Sequence, residues 1–392
     1  MSASASASAD PGPLIFLVAG EPSGDLLGAR LMAALKAATR GRVRFAGIGG
    51  AAMAEEGLET QFPLSDLAVM GIVEVIPHAR LILRRVRETA EAVKRLRPAV
   101  VVTIDAPAFS FRVGKKLKGA GIPLVHYVAP SVWAWRPRRA KMIAQFLDHL
   151  LVFLPFEPPY FTREGLAATF VGHPAVEAPQ GDRAAFRARH GIPETAPVLV
   201  MLPGSRSGEV RRHLPIFRET VARLAARIPG LRIVVPTVPT VDRDVRAALA
   251  DFPAPVLAVG ADEKYDAFAA GDVALAASGT VVLELAMAGV PTVMTYRVSA
   301  LSAWVVRRMV RVRYASLVNL VLDREVVPEM IQERCEPRLL EAELLKLFES
   351  QDARDRQKAA FADVTRALTP EGAKPSERAA AVVLELARRT TA

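Results

Sequence analysis

Short runs of Val, Ile and Leu alternate along the chain with longer segments whose apolar residues recur at helical spacing. Strand-length runs without polar interruption suit strands buried on both faces, so the pattern predicts parallel sheets covered by helices on each side. Strands are expected near 13–19, 43–47, 99–104, 122–127 and 149–153, then in a second series near 197–202, 231–236, 255–259, 273–277 and 291–296. Between the two series, GHPAVEAPQGDRAAFRARHGIPETAP is dense in Pro and Gly and holds no sustained strand pattern. The fold class predicted is α/β, as two Rossmann-like, doubly wound domains over residues 11–172 and 197–392, with a linker at 173–196. A cleft between the domains is the expected ligand site, and the last helix, near 376–389, is free to return to the first domain. Residues 1–10, MSASASASAD, read as a disordered tail with neither the basic start nor the apolar core of a signal peptide.

Composition narrows the class. The chain has 392 residues, 51% of them hydrophobic, which suffices for two cores. Its lone Cys335 excludes an internal disulfide and a cysteine metal cluster, which fits a cytoplasmic protein. The longest apolar stretch, 273–296, is interrupted by Gly279, Glu284, Gly289 and Pro291, so no membrane span is predicted. Net charge is +10, concentrated in residues 80–97, in WRPRRAK and in RRMVRVR. Each basic segment follows a large apolar one, LAVMGIVEVIPHARLILRR, SVWAW or LSAWVV, which suits an anionic membrane surface better than nucleic acid. Within the first, Val69, Met70, Ile72, Val73, Val75, Ile76, Leu81, Ile82 and Leu83 exceed one narrow core stripe, and Pro77 is expected to break any single helix through them. The membrane face predicted is Val69, Met70, Ile72, Val75, Ile76, Leu81 and Leu83 with Arg84 and Arg85.

Three turns carry candidate chemistry. AGEPSGDLLG follows a strand and opens a helix, but its glycines lack the dinucleotide spacing and Glu21 and Asp25 would repel phosphate. VLVML runs into PGSRSGEV, where Gly204, Ser205 and Ser207 offer amides at a helix start and Arg206 adds a charged donor fork; this suits a diphosphate. VALAA leads to Ser278, Gly279 and Thr280 at another helix start, and Glu284 one turn on has the chemistry to accept from ribose hydroxyls. In the first domain, strand AVVVTID ends on Asp105, positioned either as a general base or as a helix cap.

Together AGEPSGDLLGARL, MGIVEV, IDAPAFSFRV, HYVAPSVWAWRPRRAKMI, VFLPFEPPYF, VGHPAVE, LPGSRSGEV, SGTVVLELAMAGVPTVMTYRVS and VPEMIQE resemble the lipid-A-disaccharide synthase family over nearly the whole chain. The resemblance implies a B-type glycosyltransferase fold and an inverting transfer from UDP-2,3-diacylglucosamine to 2,3-diacylglucosamine 1-phosphate. It implies Asp105 as base, and Glu21, Ser23, Asp25 and His126 on the acceptor side. Gly204, Ser205, Arg206, Glu209, Ser278, Gly279, Thr280, Glu284 and Asn319 would hold the nucleotide. It implies no cofactor or metal, a peripheral place at the inner membrane, and suggests a homodimer. Two departures stand out. Ala108 and Ser110 replace the family's usual Asp and Asn after IDAP, and LVN replaces its LPN ahead of Asn319. A UDP-sugar 2-epimerase, which shares the two-domain plan, is the nearest competing enzyme class, and a non-catalytic membrane-binding protein is the other alternative.

Overall fold

The computed structural model describes residues 12–67, 72–277, 279–299, 303–304, 308 and 312–391. The chain forms two compact units, Met1–Pro174 with Leu368–Ala392, and Ala175–Ala367. Unit 1 is a six-stranded sheet of β1 (Leu14–Ala19), β2 (Arg44–Ile48), β3 (Val100–Ile104), β4 (Leu124–Tyr127), β5 (His149–Val152) and β6 (Ala167–Phe170). Every pairing is parallel and the order is β2-β1-β3-β4-β5-β6. Alternation within one strand explains why LIFLVA is apolar throughout. Ile15 and Leu17 face one layer, with Leu31 and Leu35 of α1 (Pro22–Thr39) and Ala379 and Val383 of the helix Pro375–Thr391. Phe16 and Val18 face the other, with Val86 and Val93 of α3 (Ile72–Leu96) and Val113 of α4 (Pro107–Leu117). The last helix of the chain thus completes a layer of the first unit. Between α1 and α3 lies the short α2 (Ala51–Glu55).

Unit 2 repeats the plan with β7 (Val198–Leu202), β8 (Arg232–Pro236), β9 (Val256–Val259), β10 (Val273–Ala276), β11 (Thr292–Tyr296) and β12 (Glu329–Ile331), in the order β12-β11-β10-β7-β8-β9. All of its pairings are parallel too. Strands β6 and β12 were not legible in the pattern. Both are short edge strands paired on one side, and β6 is only half-buried, so neither needs an uninterrupted apolar run. Proline also acts differently from expectation at Pro77, since α3 is one helix from Ile72 to Leu96. A proline in the second turn removes a single backbone bond near the helix start, and the long remainder of the helix carries the packing.

The Pro/Gly-rich stretch read as a linker is largely folded. It holds the helix Arg183–Arg189, capped by the Asp182 carboxylate, which accepts from the Ala185 amide. Its anchor is Arg187, a buried guanidinium that donates to the carbonyls of Pro193, Glu194, Ala196 and Ala270 and to the Asp272 carboxylate. A buried charge is tolerated when every donor is satisfied, and here the donors tie the segment before β7 to the turn before β10. Arg187→Met keeps the stem but leaves those acceptors unsatisfied. A loss of about 3–5 kcal/mol in unfolding free energy is expected, read from the urea midpoint at unchanged slope.

Candidate active site

In a doubly wound sheet, ligands gather at the carboxyl ends of the strands where the order reverses. In unit 2 that point lies between β7 and β10, which pair with Leu202 beside Ala276, so the PGSR and SGT turns emerge side by side. Gly204 has φ +125°, and a side chain there would meet Glu209 Cβ at 2.5 Å; the turn requires glycine. Arg206 is the extended residue before the helix Ser207–Ala225 and makes no cap bond, leaving its side chain 72% exposed. It reaches Glu209 Oε1 at 3.1 Å.

Glu209 is therefore not placed as a nucleotide ligand. Its nearly buried carboxylate accepts from the Ser205 amide, Arg206 and the Tyr296 hydroxyl, so it shapes the loop and would repel a phosphate. His213, one helical turn on and fully buried, was missed by the sequence reading. Arg297 N–H donates to its Nε2 at 3.0 Å, which leaves Nδ1 to donate to the Pro203 carbonyl at 3.2 Å. Burial pushes its pKa down, in keeping with that neutral tautomer. The available signal was its spacing four residues after Glu209, on the same helix face.

The second turn is only partly as expected. Ser278 lies outside the described residues, and the helix Gly279–Met287 begins at Gly279, where a Cβ would strike the Ala315 carbonyl at 2.5 Å. Thr280 is exposed at the helix start. Glu284 already has a partner, Lys264 Nζ at 3.0 and 3.1 Å from its two oxygens, so it does not need a ribose to satisfy it. Asn319 is corrected outright. It is fully buried, its amide donating to the Val327 carbonyl and Glu329 while its oxygen accepts from the Val326 and Val327 amides, and no valence remains for phosphate.

In unit 1 the reversal lies between β1 and β3, with Ala19 beside Ile104, so AGEPSGD and IDAP are neighbours. The glycines of the first turn serve packing. A Cβ on Gly20 would sit 2.4 Å from that of Ala106, and one on Gly28 would sit 2.5 Å from Met53 Sδ. Asp25 is buried and caps α2, accepting from the amides of Gly50, Ala52 and Met53, which removes it from the acceptor-binding set. Glu21, half-buried, is the extended residue before α1, and Ser23 is exposed in its first turn. His126 is also withdrawn. It is wholly buried, its Nδ1 lies 2.8 Å from Thr103 Oγ1, and desolvation lowers its pKa to about 3.

Asp105 remains. It sits half-buried between β3 and α4, its amide bonded to the Tyr127 carbonyl and its own carbonyl accepting from Ser110 Oγ at 2.7 Å. Ser110, the residue that departs from the family pattern, thus fixes the backbone of Asp105, while Ala108 is exposed. Four non-glycine residues with left-handed φ belong to this edge and the loop after β4: Asp105 at +49°, Ala106 at +43°, Val128 at +83° and Arg136 at +54°. Strain of this kind, roughly 1–3 kcal/mol a residue, persists where surrounding structure over-determines it, as at functional sites. Burial raises the Asp105 pKa, partly offset by its bond to the Ala106 amide. Among the described residues no group of three His, Cys, Asp or Glu side chains could hold a metal ion.

The predicted membrane face is only partly visible. Val69 and Met70 lie outside the described residues, as do the side chains of Ile72, Val75 and Ile76. Leu81 is half-buried, Leu83 is 52% exposed and Arg84 is exposed. Arg85 is removed from the set, since its guanidinium lies over Phe62 and binds Asp66 and Glu88.

Comparison with known proteins separates the readings. The family described as lipid-A-disaccharide synthetase matches residues 15–383. A lipid-A-disaccharide synthase from Rhodospirillum centenum is 52% identical over 378 residues, covering 95% of this chain and 94% of that protein. One from Paramagnetospirillum magneticum is 48% identical over 382 residues, covering 96% and 98%. Among solved structures, UDP-GlcNAc 2-epimerase from Neisseria meningitidis bound to UDP-GlcNAc gives a TM-score of 0.62 at 12% identity, covering 91% of this chain and 99% of that one. Acinetobacter baumannii MurG gives 0.56 at 13%, covering 96% and 100%. The fold is thus common to epimerases and glycosyltransferases, and the sequence assigns the chain between them.

The raised pKa of Asp105 has a consequence for stability. Its ionised form is disfavoured by folding, so the site is most stable when the carboxyl is neutral, and stability is lost as pH rises through the folded-state value. Asp105→Asn, which tolerates the same left-handed φ, is expected to raise Tm at pH 7.5. The gain should fade below about pH 3.9, where the unfolded carboxyl is protonated as well. A Tm difference independent of pH would contradict this.

Proposed function

The chain belongs to the lipid-A-disaccharide synthase family, and from that premise we propose how its two units divide an inverting glycosyl transfer. The acceptor 6-hydroxyl of 2,3-diacylglucosamine 1-phosphate attacks the anomeric carbon of UDP-2,3-diacylglucosamine. A β-1,6 bond forms as the bond to UDP breaks. Asp105 takes the hydroxyl proton, and the PGSR and SGT turns with Arg206 hold the departing diphosphate. The observation that carries this reading is Asp105 itself: a half-buried carboxylate on a left-handed backbone position at the reversal point of unit 1, with its pKa raised by burial. Arg206 supports the other half. Its present partner Glu209 lies in its own loop, so a diphosphate would take over an exposed guanidinium whose loop is already shaped. Gly279 and Thr280 add helix-start amides from the adjacent strand end.

The acyl chains of both substrates suggest delivery from a lipid surface. We place a peripheral contact around Leu83 and Arg84, supported by their exposure on α3. Among the described residues no helix is long and apolar enough to cross a membrane.

Two substitutions test the division of labour. Asp105→Ala should lower turnover by ~10²–10⁴, the usual contribution of a general base, with UDP affinity retained in a calorimetric titration. Arg206→Ala should weaken UDP roughly tenfold or more, from charge-assisted bonds of about 1.5–3 kcal/mol, and leave uridine little changed. Equal losses for the two ligands would make Arg206 structural.

A further inference from the structure

The segment after β4 carries an unusual charge arrangement, with Arg136 in the loop and Arg138 and Arg139 opening the short helix Arg138–Ile143. Arg136, Arg138 and Arg139 follow one another closely, and among the described residues none of them has a carboxylate partner. Arg136 and Arg138 are exposed, but Arg136 and Arg139 are each held against an aromatic ring. Arg139 is half-buried with its guanidinium 5.2 Å from the centre of the Phe111 ring, and Arg136 lies 4.5 Å over Trp135 with left-handed φ. Desolvation and the neighbouring charge of Arg136 push Arg139 below the usual guanidinium range. The protein therefore holds like charges together, at a cost, with no counter-charge paired to them among the described residues.

The loop is also built to hold that position. Trp133 Nε1 donates to the buried carboxylate of Glu157 at 3.0 Å, and the same carboxylate accepts from the amides of Phe153 and Leu154 after β5. Near Arg139, across the Phe111 ring, His126 is fully buried with Nε2 unpartnered among the described residues. The location is specific as well. The loop leaves β4 at Tyr127, whose carbonyl binds the Asp105 amide, and Phe111 lies on α4, which starts two residues after Asp105.

We propose that Arg136, Arg138 and Arg139 form a binding site for a phosphate monoester, and that its ligand is the 1-phosphate of the acceptor sugar. This rests on the acceptor assignment made above. Guanidinium forks match phosphate oxygens in pairs, and a segment already held by the Trp133–Glu157 bond and the helix Arg138–Ile143 loses little entropy when the anion arrives. Placing the phosphate here gives the sugar a second anchor besides the hydroxyl that faces Asp105. The same chemistry could engage a phospholipid headgroup, so the test separates the two.

The experiment uses the full-length protein and Arg139→Gln, with the more exposed Arg136→Gln as a second variant if the first is unstable. Turnover is measured with 2,3-diacylglucosamine 1-phosphate and with the same sugar lacking its phosphate, in detergent. Disaccharide formation by the unsubstituted protein checks the functional reading on its own. The proposal predicts that the preference for the phosphorylated acceptor, as a ratio of kcat/KM values, falls about tenfold or more, as expected for one lost charge-assisted contact. UDP affinity serves as the check on folding. In parallel, glucosamine 1-phosphate should bind the unsubstituted protein more tightly than glucosamine does in a direct titration, and lose that advantage in the variant. An unchanged ratio overturns the proposal. If sedimentation with phosphatidylglycerol vesicles falls at the same time, the arginines belong to lipid headgroups instead.

Discussion

Parallel pairing across the reversal point of each sheet is the constraint from which the chemistry follows. Parallel strands deliver every turn to the same edge, and neighbouring strands deliver neighbouring turns. Because β1 lies against β3, Gly20 must be bare for Ala106 to pass, and Asp105 emerges beside the start of α1. Because β7 lies against β10, the PGSR and SGT turns stand side by side over two helix starts. Each unit thus presents one coherent edge, strained in the first and rich in amide donors in the second.

Carboxylates inside the motifs mostly hold backbone. Asp25 caps α2, Glu209 ties Ser205, Glu157 ties the Trp133 loop, and Glu329 binds the amides of Ala315 and Ser316 beside Gly279. The physical reason is common to all four. Turns at strand ends leave amide N–H groups without ladder partners, and a nearby carboxylate satisfies one of them in the case of Glu209 and two or three in the others. With the acids engaged in this way, Arg139 is left without a carboxylate among the described residues, and Arg206 pairs only with Glu209 of its own loop. Asp105 is the exception, since its only described tie to an amide is local and burial works against its charge.

Much of the fold was legible from the chain alone. Ten strands, the division into two series, and the turns PGSR, SGT and IDAP follow from apolar runs bounded by turn residues, a signal that fully buried parallel strands cannot avoid giving. The motifs in order identified the family, which a match over residues 15–383 then showed. The edge strands β6 and β12 escaped because a strand paired on one side tolerates polar and small residues.

Partnership was what the sequence could not reveal. Glu284 reads as an acid in search of a hydroxyl until Lys264, 20 residues away, closes on it. Asn319 reads as a ligand until Val326, Val327 and Glu329 saturate it, and Arg85 reads as a lipid anchor until Asp66 and Glu88 claim it. His213 had no visible role until the loop before it and the strand end after it met at its two nitrogens. Residue types and local periodicity are properties of the chain and determine which turns can bind an anion or move a proton. Whether a given polar atom is free to do so depends on contacts between distant segments, and only the tertiary structure decided that.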